Sequence, residues 1–371
     1  MSTSGPARAN GLEALAVDLT AEQDSLDAVV GPLDDARWDA PTPSPGWSIR
    51  DQIAHLAYFD GTAATAILDP AGFQAGLAAL LIAAAPNGPS DSRETAGAEP
   101  IGEATKHYGR LVGTAEQARQ NRAAASGWTD RLETLDAATL MRDGPASQVL
   151  TRWRTNRSEL GAAARRLGNA DRVPWYGPSM SAKSFLTARL METWAHGQDV
   201  VDALRSRADR RGDQALRPPC RDCGASRGGP TEPGRSESAG QSAQALSVDR
   251  WPTDRLRHIA RLGFITRGWT YANRGEPMPS GDVRLALTGP AGDPWDFGPP
   301  DATDQVRGPA LDFCLVVTQR RHVDDTGLDV VGAAARDWMT KAQAYAGPPT
   351  DGPAPRAGAS APDQRRTEPS R

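Results

Sequence analysis

The chain has 371 residues, 39% of them hydrophobic and 24% charged, with a formal net charge of −4. That length suggests two domains and the apolar share supplies a core, while the acidic balance offers no electrostatic attraction for nucleic acid or an anionic membrane. It holds no run of about 18 apolar residues and no basic stretch leading into an apolar one, so the expectation is a soluble, cytoplasmic protein. Three cysteines, Cys220, Cys223 and Cys314, are too few for a disulfide framework.

In chain order, Leu12, Leu15, Leu19, Leu26 and Val30 recur at helical spacing and stop at Gly31-Pro32, which predicts an amphipathic helix over 10–31. A turn-rich link, DAPTPSPGW, covers 39–47. Ser48 with Asp51 three residues on has the form of a capping box, opening a second helix whose apolar face is Ile49, Ile53, Leu56, Ala63 and Ile67. His55 lies near that stripe.

Residues 85–145 begin as a loop by composition and continue with weak periodicity, with short helices expected around 103–120 and 131–141. From Ser147 the pattern sharpens, and Leu150, Trp153, Leu160, Ala164 and Leu167 predict a third helix. After the link 168–178, residues 179–204 (SMSAKSFLTARLMETWAHGQDVVDAL) predict a fourth. Four substantial helices with turn-rich ends point to an up-and-down bundle.

The fourth helix carries the candidate chemistry. Glu192 and His196 are four apart, so their side chains stand one above the other, near the inward ridge of Leu186, Leu190 and Trp194. An inward carboxylate and imidazole need hydrogen bonds, an ion partner or a metal. Of the five histidines, His55 is best placed to join them, and two histidines with one glutamate form a known zinc shell with an open position. Spacing alone favours the plainer reading, a helix-surface pair.

Residues 206–249 are rich in Arg, Gly, Ser and Pro and nearly devoid of apolar side chains, so a disordered insert is expected. Its Cys220-x-x-Cys223 is a lone pair, better read as two exposed thiols than as half of a zinc ribbon. Order resumes with a helix over 252–275, for which Thr253 is a plausible N-cap. The alternating 283–290 and the following 294–298 suggest a hairpin, 310–321 a buried helix with Cys314 as a core thiol, 328–332 a strand and 333–347 a closing helix. The tail 348–371 is Pro, Gly and charge rich and is expected to be disordered. The division is thus a helical unit over 8–205, the insert, an α+β unit over 250–347 and the tail.

The stretches GWSIRDQIAHLAYFD (46–60) and METWAHGQDVVDAL (191–204) resemble the metal-binding four-helix domain of mycothiol-dependent maleylpyruvate isomerases and the wider DinB-like family, most of all an uncharacterised metal-binding branch. The stretch RLALTGPAGDPWDFGPPDATDQVRGPALDFCLVVTQRRH (284–322) is similar to the small C-terminal domain of those enzymes, itself like sterol-carrier proteins. The resemblance reverses the preference for a surface pair: it implies a divalent metal, usually zinc, on His55, Glu192 and His196. It also implies a metal position open to the thiol of mycothiol, and a small electrophilic substrate. A metal-bound thiolate would then drive an isomerisation or transfer.

Asp199, Gln198 and Asp51 become candidates for orienting a ligand, and Arg320 for clamping an acidic substrate. His107, His258 and His322 are expected at the surface, and Trp47, Trp153 and Trp194 as core or staple residues. Arg320 and Arg321 also fit a solvated helix end. The alternative function is a non-catalytic metal- or lipid-binding module.

Overall fold

A computed structural model describes residues 11–83, 144–176, 179–211 and 252–356. Helices α1 (Gly11–Val30), α3 (Ile49–Leu68), α5 (Ala146–Ala164) and α6 (Ala182–Arg211) lie where periodicity places them. The Ser48–Asp51 capping box forms, with the Ser48 hydroxyl and the Asp51 carboxylate each satisfying a backbone N–H of the first turn. That cap fixes where α3 starts and hence which face carries residues 52, 55 and 59. α3 packs on α5 and α6, and α1 on α6 and α5. α6 continues to Arg211, into the stretch read as an insert, because residues 205–211 hold Arg and Ala, good helix formers.

Two helices and a two-stranded pairing were not anticipated in this half. α2 (Asp35–Trp38) is capped by the Asp34 side chain. α4 (Pro70–Ala83) opens with proline at its first position, and the Gly72 N–H donates to Asp69 Oδ1 at 2.9 Å. The link 168–178 also contributes β1 (Arg172–Val173), which pairs antiparallel with β2 (Met180–Ser181).

The C-terminal part starts with α7 (Leu256–Ile265) and α8 (Arg267–Arg274), where one helix was expected. Thr266 interrupts them: its hydroxyl donates back to the Leu262 and Gly263 carbonyls, competing with helical continuation. Thr253 does not cap with its side chain; its carbonyl accepts from the Leu256 N–H, and no side chain caps α7.

The sheet runs β4-β3-β5-β6, with β3 (Val283–Thr288), β4 (Pro294–Phe297), β5 (Asp304–Pro309) and β6 (Asp329–Val331). β3 pairs antiparallel with β4 and parallel with β5, and β6 is antiparallel to β5. β5 was missed because its sequence, DQVRGP, holds a single core-facing apolar residue, Val306. α9 (Ala310–Val317) and α10 (Ala333–Lys341) complete this part, with Cys314 buried and free in α9.

Leu285, Leu287, Val306, Phe313 and Trp338 pack together on the inner side of the sheet, each no more than 2% exposed. Gly263 lets α7 approach α9 closely, since a Cβ there would lie 2.9 Å from Val317 Cγ2 and 3.0 Å from Phe313 Cε1. The same apolar cluster runs on through Leu12, Leu15 and Leu19 of α1 and Leu186 and Leu190 of α6. A second cluster, including Ile49, Ile53, Trp153 and Val200, fills the other end of the helical part.

Residues 348–356, read as tail, are held in place: Arg274 Nη1 meets Asp351 Oδ1 at 2.8 Å and Gln319 Nε2 donates to Thr350 O at 2.9 Å. The expected helices at 103–120 and 131–141, His107, Cys220, Cys223 and residues 357–371 lie outside the described residues. Among the described residues no helix is long and apolar enough to cross a membrane.

Candidate functional site

α3 and α6 lie side by side and bring His55, Glu192 and His196 together, with one ligand-capable atom from each all within 4.8 Å of one another. His196 Nε2 is 3.1 Å from Glu192 Oε2, and His55 Nε2 is 3.7 Å from the same oxygen. The cluster is partly open, the three side chains being 20%, 24% and 11% exposed for His55, Glu192 and His196.

Aromatic rings flank the imidazoles. Trp47 stacks on His196 with centroids 5.9 Å apart and planes 12° off parallel, and it meets His55 at 5.3 Å. Phe59, one turn beyond His55 on α3, lies 4.6 Å from that ring on another side. Trp47 was expected to be a staple, yet it lines the cluster. Trp153 and Trp194 are buried at 0% and 6% exposure, as expected.

The electrostatics favour a metal-ready donor set. Burial, and then the neighbouring His196, pull the His55 pKa down to about 4, so its imidazole is neutral near pH 7. Burial opposes ionisation of Glu192, but the hydrogen bonds and charge of His196 and His55 outweigh it and hold the carboxyl well below its ordinary range. Imidazole nitrogens and a carboxylate oxygen are donors that suit zinc, iron, nickel or manganese.

The residues expected to orient these groups do other work. Asp199, one turn past His196, accepts from Ser44 Oγ at 3.1 Å and from Arg320 Nη2 at 2.9 Å. Gln198 donates to Asp202 Oδ1 at 3.1 Å, and Asp202 pairs with Arg321 at 2.6 Å. Arg320 and Arg321 are therefore ion-paired to α6 instead of standing free at a helix end. Asp51 serves the capping box. His258 lies 2.8 Å from Asp18 on α1, and His322 caps the 3₁₀ turn Val323–Asp325.

The residue that meets Nδ1 of His196 is Gln52, whose Oε1 lies 2.5 Å away. Sequence reasoning missed it. The signal was its place three residues before His55, a polar side chain on a face otherwise apolar. Beneath the site, Arg189 Nη2 donates to Asp60 Oδ1 at 2.9 Å, and its guanidinium lies over Phe59 at 5.8 Å.

Fold and site together define a helical protein with a His–Glu–His cluster between two of its helices and a smaller sheet-containing part docked on them. The model of the mycothiol maleylpyruvate isomerase N-terminal domain matches residues 19–103 and 101–201. This chain belongs to that family. Uncharacterized proteins of Mycobacterium tuberculosis, from strain CDC 1551 / Oshkosh and strain ATCC 25618 / H37Rv, are each 36% identical to it over 335 residues, covering 90% of this chain and 96% of theirs. Among solved structures, the mycothiol-dependent maleylpyruvate isomerase and a point mutant of it align with TM-scores of 0.42 at 13% and 14% identity, covering 86% of this chain and 93% of theirs.

Proposed function

We propose that the chain is a metal- and thiol-dependent isomerase or transferase, with His55, Glu192 and His196 as ligands of one divalent metal, zinc first. The observation that carries this reading is the convergence of the three donor atoms within 4.8 Å, with Glu192 ionised and His55 neutral. A structural zinc takes four protein ligands, whereas three suit a site that leaves room for a small molecule. Membership of a mycothiol-related family supports mycothiol as the thiol. When bound, the metal would lower the pKa of a coordinated thiol and supply a thiolate nucleophile near neutral pH.

The chain's own residues hold the donors. Trp47 packs against both imidazoles and Phe59 against another side of His55, which holds the two rings in place while the cluster stays partly open. Asp199 and Arg320 act on the site by fastening the Trp47 loop and the C-terminal turn to α6. In this reading residues 8–205 form a DinB-like four-helix unit and 250–347 a sterol-carrier-like unit closing one side of the site. The alternative of a lipid-binding module loses support, because the inner face of the sheet is filled by Phe313 and Trp338 and α7 already touches α9 at Gly263.

Elemental analysis of the purified protein tests the metal: near-stoichiometric metal is expected, lost in His55→Ala and His196→Ala, and full retention in both variants overturns the ligand assignment. Titrating the cobalt-substituted protein with mycothiol and simpler thiols tests the second step. A thiolate charge-transfer band is expected, and its absence at saturating thiol removes the thiol reading.

A further inference from the structure

The hydrogen bonds behind His196 form a chain with a direction. Thr42 Oγ1 lies 2.8 Å from the Trp47 carbonyl oxygen, and a carbonyl only accepts, so the hydroxyl hydrogen is committed there. Thr42 Oγ1 must then accept at its next contact, 2.9 Å from Gln52 Nε2. With the amide nitrogen of Gln52 turned to Thr42, its oxygen faces His196 Nδ1 at 2.5 Å. An amide oxygen accepts, so Nδ1 carries a proton. The ring's other nitrogen, Nε2, is the one aimed at Glu192 Oε2, 3.1 Å away. The opposite polarity would leave Thr42 Oγ1 and the Trp47 oxygen as two acceptors 2.8 Å apart with no hydrogen between them.

We propose that Gln52, oriented by Thr42 and the Trp47 carbonyl, is a positioning residue that keeps a proton on Nδ1 of His196 and so reserves Nε2 for the Glu192 side. Gln52 is 0% exposed, so water does not compete for its amide. The relay also closes on itself, because Trp47 anchors it with its carbonyl and stacks its ring on the imidazole it orients. α3 thus supplies both His55 and the partner that orients the histidine of α6. The benefit for metal binding rests on the reading above; the placement of the proton does not.

The test is nitrogen NMR of histidine-labelled protein, metal-free and with zinc, together with zinc affinity measured by chelator competition. In the wild type Nδ1 stays protonated in both states and only the Nε2 signal moves when zinc is added. Gln52→Leu should weaken zinc about 10- to 100-fold, as loss of a hydrogen-bond partner behind a ligand does. Gln52→Glu, which still accepts from Nδ1 but offers no donor to Thr42 Oγ1, should recover part of the affinity that Gln52→Leu loses, and Thr42→Val should fall between Gln52→Leu and wild type. A neutral wild-type ring with a bare Nδ1 overturns the proposal. So does a folded Gln52→Leu with unchanged zinc affinity, or a Gln52→Glu as weak as Gln52→Leu. Should Gln52→Leu fail to fold, Gln52→Glu and Thr42→Val still decide. If wild-type protein takes no zinc while Nδ1 remains protonated, the metal reading fails and the relay stands.

Discussion

Arg320 Nη2 and Asp199 Oδ2 stand 2.9 Å apart, tying the turn after α9 to α6 one turn beyond His196. The same carboxylate oxygen accepts from Ser44 of the 41–48 loop, so one buried residue joins three separate segments around the site. The arginines are aimed by the backbone before them: Gln319 has φ 57°, the one positive value at a non-glycine residue among those described. Its side chain is pinned there, donating to the Ala342 and Thr350 carbonyls and accepting from the Tyr345 hydroxyl. A left-handed turn at residue 319 sends Arg320 and Arg321 back toward Asp199 and Asp202.

Arg320→Ala should cost about 3 kcal/mol in urea unfolding, because it strands a carboxylate whose side chain is only 3% exposed. Adding Asp199→Ala should recover part of that loss, since the unpaired charge is then gone. A single variant as stable as the wild type would show that the pair contributes nothing.

Asp60 is the buried hub of the helical part. At 0% exposure it accepts from Gln23 Nε2 at 3.0 Å, Trp153 Nε1 at 3.2 Å and Arg189 Nη2 at 2.9 Å. Burial pushes its carboxyl up, while three donors with no acceptor among them favour the ionised form. Asp60→Ala should lower stability by about 3–5 kcal/mol, on the order of 10 °C in Tm by scanning calorimetry. Asp60→Asn should cost nearly as much, because its amide nitrogen would face donors. An Asp60→Asn variant melting within a degree or two of wild type would contradict this account.

Asp337 gives a pH signature far from the site. It accepts from Tyr271 Oη and Lys341 Nζ, both at 2.8 Å. Burial works to raise its pKa, but the bonds from Lys341 and Tyr271 outweigh that and depress it below 3.8. A carboxyl with a lowered folded-state pKa adds stability above its unfolded pKa and loses it as pH falls through the folded value. The side chain is 36% exposed, so the contribution is under about 1 kcal/mol. Asp337→Asn should therefore be slightly less stable than wild type at pH 7, with the difference shrinking as pH falls below 3.8 and through the folded-state pKa, as thermal melts at descending pH would show.

What could be read from the sequence was whatever neighbours within a few residues decide. The stripe Leu12, Leu15, Leu19, the Ser48–Asp51 cap and the Glu192–His196 spacing each depend on contacts no more than one or two helical turns away, and all appear as expected. Even the local misses, α4 after Asp69-Pro70 and the break at Thr266, have local causes. Only the tertiary structure decided which distant groups meet. Gln52 reaches a histidine 144 residues away, Arg320 a carboxylate 121 residues away, and β5 is a strand because β3 lies beside it. The physical reason is that such pairings carry no period or spacing of their own: the place of Gln52 on the face of α3 can mark it as inward, but nothing local in the sequence names the distant group it will meet. Packing of the apolar faces brings the elements together, and only then does each polar group acquire the partner that its burial requires.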